Sequence, residues 1–350
     1  MSRPPLRIAL IGCGAIAELG HAPAFLTLGG DATVTAVVDL APARRQLLGD
    51  MLSVHPGRRY DNVDTLLDDP EPIDLAVVVL PPDRTPPVVE RLLAADIRVL
   101  CEKPMSVDVG VAARLAGLAP PDRLGIVHNY LYRSDVRQAI RQVRAGTLGR
   151  IRFLRLEQPD PGHFPGAGVS PYWRRRHAGG GCLTDNAYHW MYVAAELANS
   201  PVVRVTARLS RPDVTSAEDV AMVLLDHESG TLTSVQTAWC APRAQPVLEV
   251  HAQHGSLRLE GDCGACQVYP DPGPARSEPV EPSYAAMFRE VFAAVRAGQP
   301  FAAPADACVG VLTVLRAATQ SARQGRTVPV ETAIATSPGA PPPTPLPRPA

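Results

Sequence analysis

The chain has 350 residues, enough for two domains with their own cores, and its 46% hydrophobic and 20% charged content is that of a globular protein. A formal net charge of −1 offers no basic surface for nucleic acid and no polybasic signal for a membrane, and no apolar run is long enough to span a bilayer. Leu6–Ile11 is too short for a secretion signal and runs straight into a glycine turn, while seven scattered cysteines fit reduced thiols, so a cytoplasmic location is expected.

Residues 6 to about 127 alternate short apolar runs with helical patterns. Ile8–Ile11, Thr33–Val38, Leu75–Leu80, Val99–Cys101 and Leu124–Val127 read as buried strands, and Ala41–Leu52, Val63–Leu67 and Pro87–Ala95 as helices. That alternation predicts an α/β Rossmann domain, a parallel sheet with helices on both faces, over residues 1–127. The character then changes. A helix at Val136–Ala145 is followed by closely spaced strands at Ile151–Leu156, Val202–Leu209, Val220–Leu225, Thr231–Thr237, Leu248–Ala252 and Ser256–Leu259. This predicts a second, α+β domain over residues 128–333, with an open, mostly antiparallel sheet closed by helices at Tyr284–Ala297 and Asp306–Gln324. The proline-rich residues 334–350 read as a disordered tail. Cys263 and Cys266 have metal-ligand spacing, but no second pair or nearby histidine completes a set, so a glycine-rich hairpin is expected there and no metal.

Gly12-Cys-Gly14-Ala15-Ile16-Ala17 follows the first strand and opens a helix, the context a dinucleotide fingerprint requires. Gly12 permits the tight turn, Gly14 lets backbone approach a pyrophosphate, and Ala17 takes the helix-packing position. Asp39 ends the second strand, where a carboxylate accepts from adenosine ribose hydroxyls and repels a 2′-phosphate, so NAD is expected in preference to NADP; Arg44 in the next loop tempers that preference.

Lys103 is the only lysine; the other 33 of the 34 Lys+Arg residues are arginine. An ammonium is compact and its pKa responds to burial, whereas guanidinium stays protonated and wide, so a lone lysine points to chemistry that arginine does not supply. It lies in Glu102-Lys103-Pro104 at the carboxyl end of a predicted parallel strand, where ligands of open α/β sheets bind. Downstream, Gly179-Gly180-Gly181 precedes a predicted helix carrying Asp185 and His189, four apart and so on one face, with Tyr192 and Glu196 continuing that polar face. Ala187, Trp190, Met191, Ala194 and Ala198 form the opposite, apolar stripe.

With these motifs in this order, the sequence resembles the Gfo/Idh/MocA family, the glucose–fructose oxidoreductase and inositol dehydrogenase group, over nearly its whole length. Gly146-Thr-Leu-Gly149 and Ser321–Arg326 are lesser matches. The resemblance implies an NAD(P)-binding Rossmann domain beside an open sheet through which a homodimer or homotetramer forms. It also implies catalytic roles for Lys103, Asp185 and His189. By the same resemblance Leu80 and Pro81, at the end of the third predicted strand, and Glu102 are expected at the cofactor. Asn129, Tyr130, Tyr172, Arg174 and Asn186 are expected at the substrate. The implied activity is hydride transfer between nicotinamide and a secondary alcohol or ketone of a sugar, cyclitol or related polyol. Alternatives are tightly bound NAD used for glycoside hydrolysis or epimerisation, a non-catalytic sugar sensor, and reduction of non-sugar substrates such as imines or bilins. His189, with an ordinary pKa of about 6.5, suits a general base, and Lys103 suits either oxyanion donor or proton carrier. The two assignments stay open. Two departures stand out: Leu131 occupies a position where relatives carry arginine, and Thr85 one where they often carry histidine.

Overall fold

The computed structural model describes residues 4–162, 180–212, 216–260, 266–269 and 281–331. The first apolar runs form strands β1 (Leu6–Ile11) and β2 (Ala32–Val38), joined by a π-helical turn at Ala17–His21 that continues into α1 (Ala22–Thr27). Next come α2 (Pro42–Met51), β3 (Arg59–Tyr60), α3 (Val63–Leu67), β4 (Leu75–Val78), α4 (Thr85–Ala94), β5 (Val99–Cys101), α5 (Val109–Ala116) and β6 (Leu124–Ile126). These strands make one parallel sheet in the order β3-β2-β1-β4-β5-β6. Strand order reverses between β1 and β4, which opens a crevice at their carboxyl ends. The strands match the sequence expectation to within a few residues. The unexpected β3 is only two residues long, too short for any periodicity to register.

After α6 (Ser134–Arg144) the chain enters the second sheet with β7 (Ile151–Pro159) and crosses its inner face as α7 (Tyr188–Ala198). It then adds β8 (Val202–Ser210), β9 (Val220–His227), β10 (Leu232–Ala238), β11 (Val247–Ala252), β12 (Ser256–Glu260) and β13 (Cys266–Tyr269). Helices α8 (Ser283–Ala297) and α9 (Ala305–Gln324) lead to β14 (Val328–Pro329). The eight strands order as β13-β12-β11-β7-β10-β9-β8-β14, antiparallel except for β7 with β10.

Period-two alternation sorts this sheet's side chains. Leu154, Leu156, Val223, Leu225, Val235 and Val250 point inward and are buried, whereas Met222, Leu224 and Leu232 on the other face are each more than half exposed. Helix α9 lies between the two sheets, packed on α5 and β6 on one side and β8 on the other. The helix α8, expected to close the second domain, packs instead on the Rossmann side. Phe288 sits 4.6 Å ring to ring from Phe25 of α1, in a core with Ile8 and Leu10. Apolar patterning showed that α8 needed a partner surface and gave no indication of which one.

Candidate active site

The glycine turn after β1 has the shape its sequence suggests. Gly12 takes φ +97°, and a Cβ there would lie 2.2 Å from the Val79 carbonyl oxygen at the end of β4, so only glycine fits. Over Gly14 a Cβ would meet nothing within 4 Å, and Gly14, Ala15 and Ile16 are exposed. The Asp39 carboxylate accepts from the Cys13 N–H (2.7 Å) and the Ala41 N–H (2.8 Å), locking the end of β2 to the turn. Arg44 donates to the Cys13 carbonyl and pairs with Glu18, so its guanidinium braces the same turn. Leu80 flanks Gly12, and Pro81 is exposed beside it. Thr85 is buried, with its hydroxyl turned back on the Leu80 and Pro81 carbonyls at the start of α4.

At the next strand end, Glu102 and Lys103 reach opposite ways. Glu102 is buried and accepts from His21 Nε2 (2.8 Å), the Tyr284 hydroxyl (3.0 Å) and the Lys103 backbone N–H (3.0 Å). Burial opposes its ionisation, but the His21 hydrogen bond and charge, Lys103 and Tyr284 outweigh that and hold the carboxyl below its usual range. Lys103 Nζ donates to Asp185 Oδ1 at 2.8 Å and to the Asp185 carbonyl at 3.0 Å. Both π-helical turns therefore meet this tripeptide. Ala17–His21 presents His21 to Glu102, and Leu183–Ala187 presents Asp185 to Lys103. Such wide turns re-aim side chains that a regular helix would point elsewhere.

The glycines ahead of Asp185 have a packing role. A Cβ on Gly181 would lie 1.9 Å from the Glu218 carbonyl oxygen, and the Gly181 N–H donates to Glu218 Oε1 at 2.7 Å. Asp185 is thus set at a fixed depth against β9. Gly179, Tyr172 and Arg174 fall outside the described residues, as does Cys263. Among the described residues no group of three or more His, Cys, Asp or Glu is placed to hold a metal.

The two halves match known proteins as one family. Residues 6–124 match the oxidoreductase family with an NAD-binding Rossmann fold, and residues 136–258 match the GFO/IDH/MocA C-terminal domain. The chain belongs to the Gfo/Idh/MocA family. It is an oxidoreductase with an NAD-binding Rossmann domain. It is similar to D-apiose dehydrogenase of Paraburkholderia graminis, 27% identical over 354 residues that cover 94% of this chain and 91% of the relative. It is also similar to dTDP-3,4-didehydro-2,6-dideoxy-alpha-D-glucose 3-reductase of Saccharopolyspora spinosa, 28% identical over 66% of this chain and 67% of the relative. Its fold matches an oxidoreductase from Agrobacterium radiobacter, solved with NAD+, L-tartaric acid and magnesium. There the TM-score is 0.82 at 21% identity, covering 93% of this chain and 98% of the other.

In this Gfo/Idh/MocA chain the turn just described has features that a dinucleotide would need. Space over Gly14, the helix start behind it and the anchored Asp39 carboxylate are what a pyrophosphate and a ribose require. Further in, Asn129 is buried with its Oδ1 unpartnered among the described residues, an acceptor left over at the end of β6. Leu131 packs against the core. Arg133, two residues on, pairs with Asp135 and lies over the Tyr130 ring. The Asn186 amide bonds Asp160 and accepts from Trp239 Nε1, tying it to the ends of β7 and β10.

The face carrying Asp185 and His189 is not a solvent face. Tyr188 through Ala194 are all buried, because the open sheet covers one side of α7 and the segment Asn129–Tyr132 another. His189 stacks on Tyr130 (4.0 Å between centroids, 14° between planes), and His128 stacks on Tyr192 (4.0 Å, 13°). His189 Nδ1 is 2.7 Å from the Tyr192 hydroxyl, and His128 Nε2 is 3.1 Å from the Tyr188 hydroxyl. Burial, then the Lys103 charge, push His189 well below its ordinary range and His128 down to about 3. His21, His128, Tyr192 and Tyr284 were not singled out as site residues from sequence. The one available signal was Tyr192, three residues after His189 and therefore its neighbour on a helix.

A histidine kept neutral by folding carries a pH signature. Below about pH 6.5 the unfolded chain binds a proton that folded His128 refuses until about pH 3, so stability falls as pH falls through that window. Replacing His128→Asn should flatten the fall in unfolding free energy between pH 5.5 and 4.5 by about 1.4 kcal/mol per pH unit, the value of one proton. Chemical denaturation across that range checks it; an unchanged slope would show that His128 protonates as readily in the folded protein.

Proposed function

We propose that this chain is an NAD-dependent dehydrogenase or reductase that interconverts a secondary alcohol and a ketone on a sugar, cyclitol or related polyol. The observation that carries the reading is Lys103 held to Asp185 at 2.8 Å across the crevice, with His189 one turn further along the same helical segment. Relatives named for D-apiose, inositol and glucoside dehydrogenation support the substrate class. The nicotinamide supplies the hydride acceptor or donor. Lys103 Nζ, anchored at two points on Asp185, presents a donor to the reacting oxygen as charge develops there. Asp185 positions that ammonium, and His189, stacked on Tyr130 and kept neutral by burial and the Lys103 charge, stands close enough to Lys103 to feel that charge. Asn129 Oδ1, left without a partner among the described residues, is an acceptor for a substrate hydroxyl, and Tyr130 walls the same side.

NAD is preferred over NADP on this reading because Asp39 places a carboxylate, already fixed by two backbone N–H groups, where a 2′-phosphate would sit. Arg44 is committed to the Cys13 carbonyl and Glu18 rather than turned toward such a phosphate. Asp39→Asn should reduce the NAD:NADP ratio of kcat/KM by roughly tenfold or more, since uniform repulsion of the phosphate is lost. Steady-state rates with each cofactor test this, and an unchanged ratio would reject Asp39 as the selector.

Lys103→Arg should leave NAD affinity near the starting value and lower turnover by about 10²-fold or more, the usual scale for a lost acid–base or oxyanion group. The assay is reduced-nicotinamide absorbance over a panel of sugars, inositols and nucleotide sugars. Near-normal turnover in the arginine variant would end the catalytic reading of Lys103.

The open sheet face is the proposed contact between subunits. Met222, Leu224 and Leu232 lie together on β9 and β10, flanked by Arg155 and Glu157 of β7 and Glu249 of β11, a mix of apolar and alternating charge that suits a second copy of itself. Met222→Asp with Leu224→Asp should convert a dimer or tetramer into smaller species in analytical ultracentrifugation. A monomeric starting protein, or an unaltered assembly, would refute that contact.

A further inference from the structure

The polar end of the aromatic cluster fixes more than the position of His189. The Tyr192 hydroxyl lies 2.7 Å from His189 Nδ1, and it also accepts the backbone N–H of Tyr130 at 3.1 Å. Among the described residues it has no other partner. A phenol has one proton to give and two lone pairs to receive with. One lone pair is taken by Tyr130, so the proton has one acceptor within reach, the lone pair of His189 Nδ1. In the opposite arrangement Nδ1–H would donate to the phenol oxygen, and the phenol proton would be left without an acceptor in a buried site, which is the costly choice. Burial raises the Tyr192 pKa well above its ordinary value, so the phenol keeps its proton, and burial with the nearby Lys103 charge keeps His189 neutral. A neutral imidazole that accepts at Nδ1 carries its proton on Nε2. His189 Nε2 has no partner among the described residues, and the ring beside it is clamped flat against Tyr130.

We propose that Tyr192 locks His189 as the Nε2–H tautomer, so that His189 donates a hydrogen bond to the reacting oxygen and is not the base that takes its proton. The proton would then pass between the substrate oxygen and Lys103 Nζ: in oxidation the ammonium would first release a proton to solvent and then take the substrate proton, the O–H bond breaking as the N–H bond forms, with a bound nicotinamide supplying the hydride acceptor. Reduction reverses each step. Tyr192 is a positioning residue, acting on the reaction through His189. This inference rests on the dehydrogenase reading for its reacting oxygen, and on the structure alone for the tautomer.

The test begins with the protein labelled with 15N-histidine and long-range 15N–1H correlation at pH 7.5 without cofactor or substrate. His189, assigned from a His189→Gln sample, should show a protonated Nε2 and a bare Nδ1. A protonated Nδ1 would overturn the proposal, whatever the activity. In Tyr192→Phe the lock is gone, and the His189 signals should move toward the average of a tautomer mixture; retention of the wild-type pattern would show that Tyr192 does not set it. His189→Gln keeps an amide N–H close to the Nε2 position but takes up no proton. The pH profile of its turnover in the oxidation direction should keep the acid limb of the starting enzyme, whereas loss of that limb would return the base role to His189. If no substrate in the panel turns over, the dehydrogenase reading fails on its own, and the 15N spectrum still decides the tautomer.

Discussion

Lys103 and Asp185 are 82 residues apart and meet at 2.8 Å, and the working geometry depends on that meeting. One partner stands at the carboxyl end of a parallel strand, the other on a wide helical turn that crosses the inner face of the second sheet. An ammonium with about a tenth of its side chain exposed needs compensation, and it receives a carboxylate and a carbonyl from the same residue. The neighbouring Glu102 is held by His21 and Tyr284, so the Glu102–Pro104 loop is tied to the turns at Ala17–His21 and Leu183–Ala187 and to α8 at once. The bond from Lys103 to Pro104 is cis, the loop turning sharply between these anchors.

Around that pair the protein builds a dry, aromatic wall. His128, Tyr130, Tyr188, His189 and Tyr192 stack and hydrogen-bond to one another with little solvent among them. Low polarity keeps both histidines neutral and all three phenols protonated, so the wall adds no charge of its own beside the Lys103–Asp185 pair. A single fixed cation in such surroundings acts strongly on a developing alkoxide, because little water competes for it.

Much of this was legible from the chain. Gly12, Gly14 and Asp39 stand at the ends of two apolar runs in a spacing that reports the turn, and the structure places them together. The lone Lys103 and the glycines before Asp185 pointed to one crevice. Helical periodicity at 183–198 put Asp185 and His189 on one face and gave no sign of what covers it. Here Asn129–Tyr132 covers that face, and a π-helical turn breaks the regular spacing at Asp185. Similarly, α8 has an apolar stripe that fits either core, and Phe25 of α1, more than 250 residues earlier, is what receives it.

By itself the sequence determined the parallel sheet and its cofactor turn, because strand runs, a required positive φ at Gly12 and a strand-end carboxylate are local properties written in consecutive residues. It also marked Lys103 by composition alone. The tertiary structure decided which groups touch: His21 with Glu102, Tyr192 with His189, Tyr130 flat on the imidazole. The first and third pairs come from separate elements, and the second joins neighbours one turn apart on α7. Their protonation states follow from burial that only the assembled sheets and helices create. A histidine's role depends on where its proton sits, and that is set by the hydroxyl folded against it.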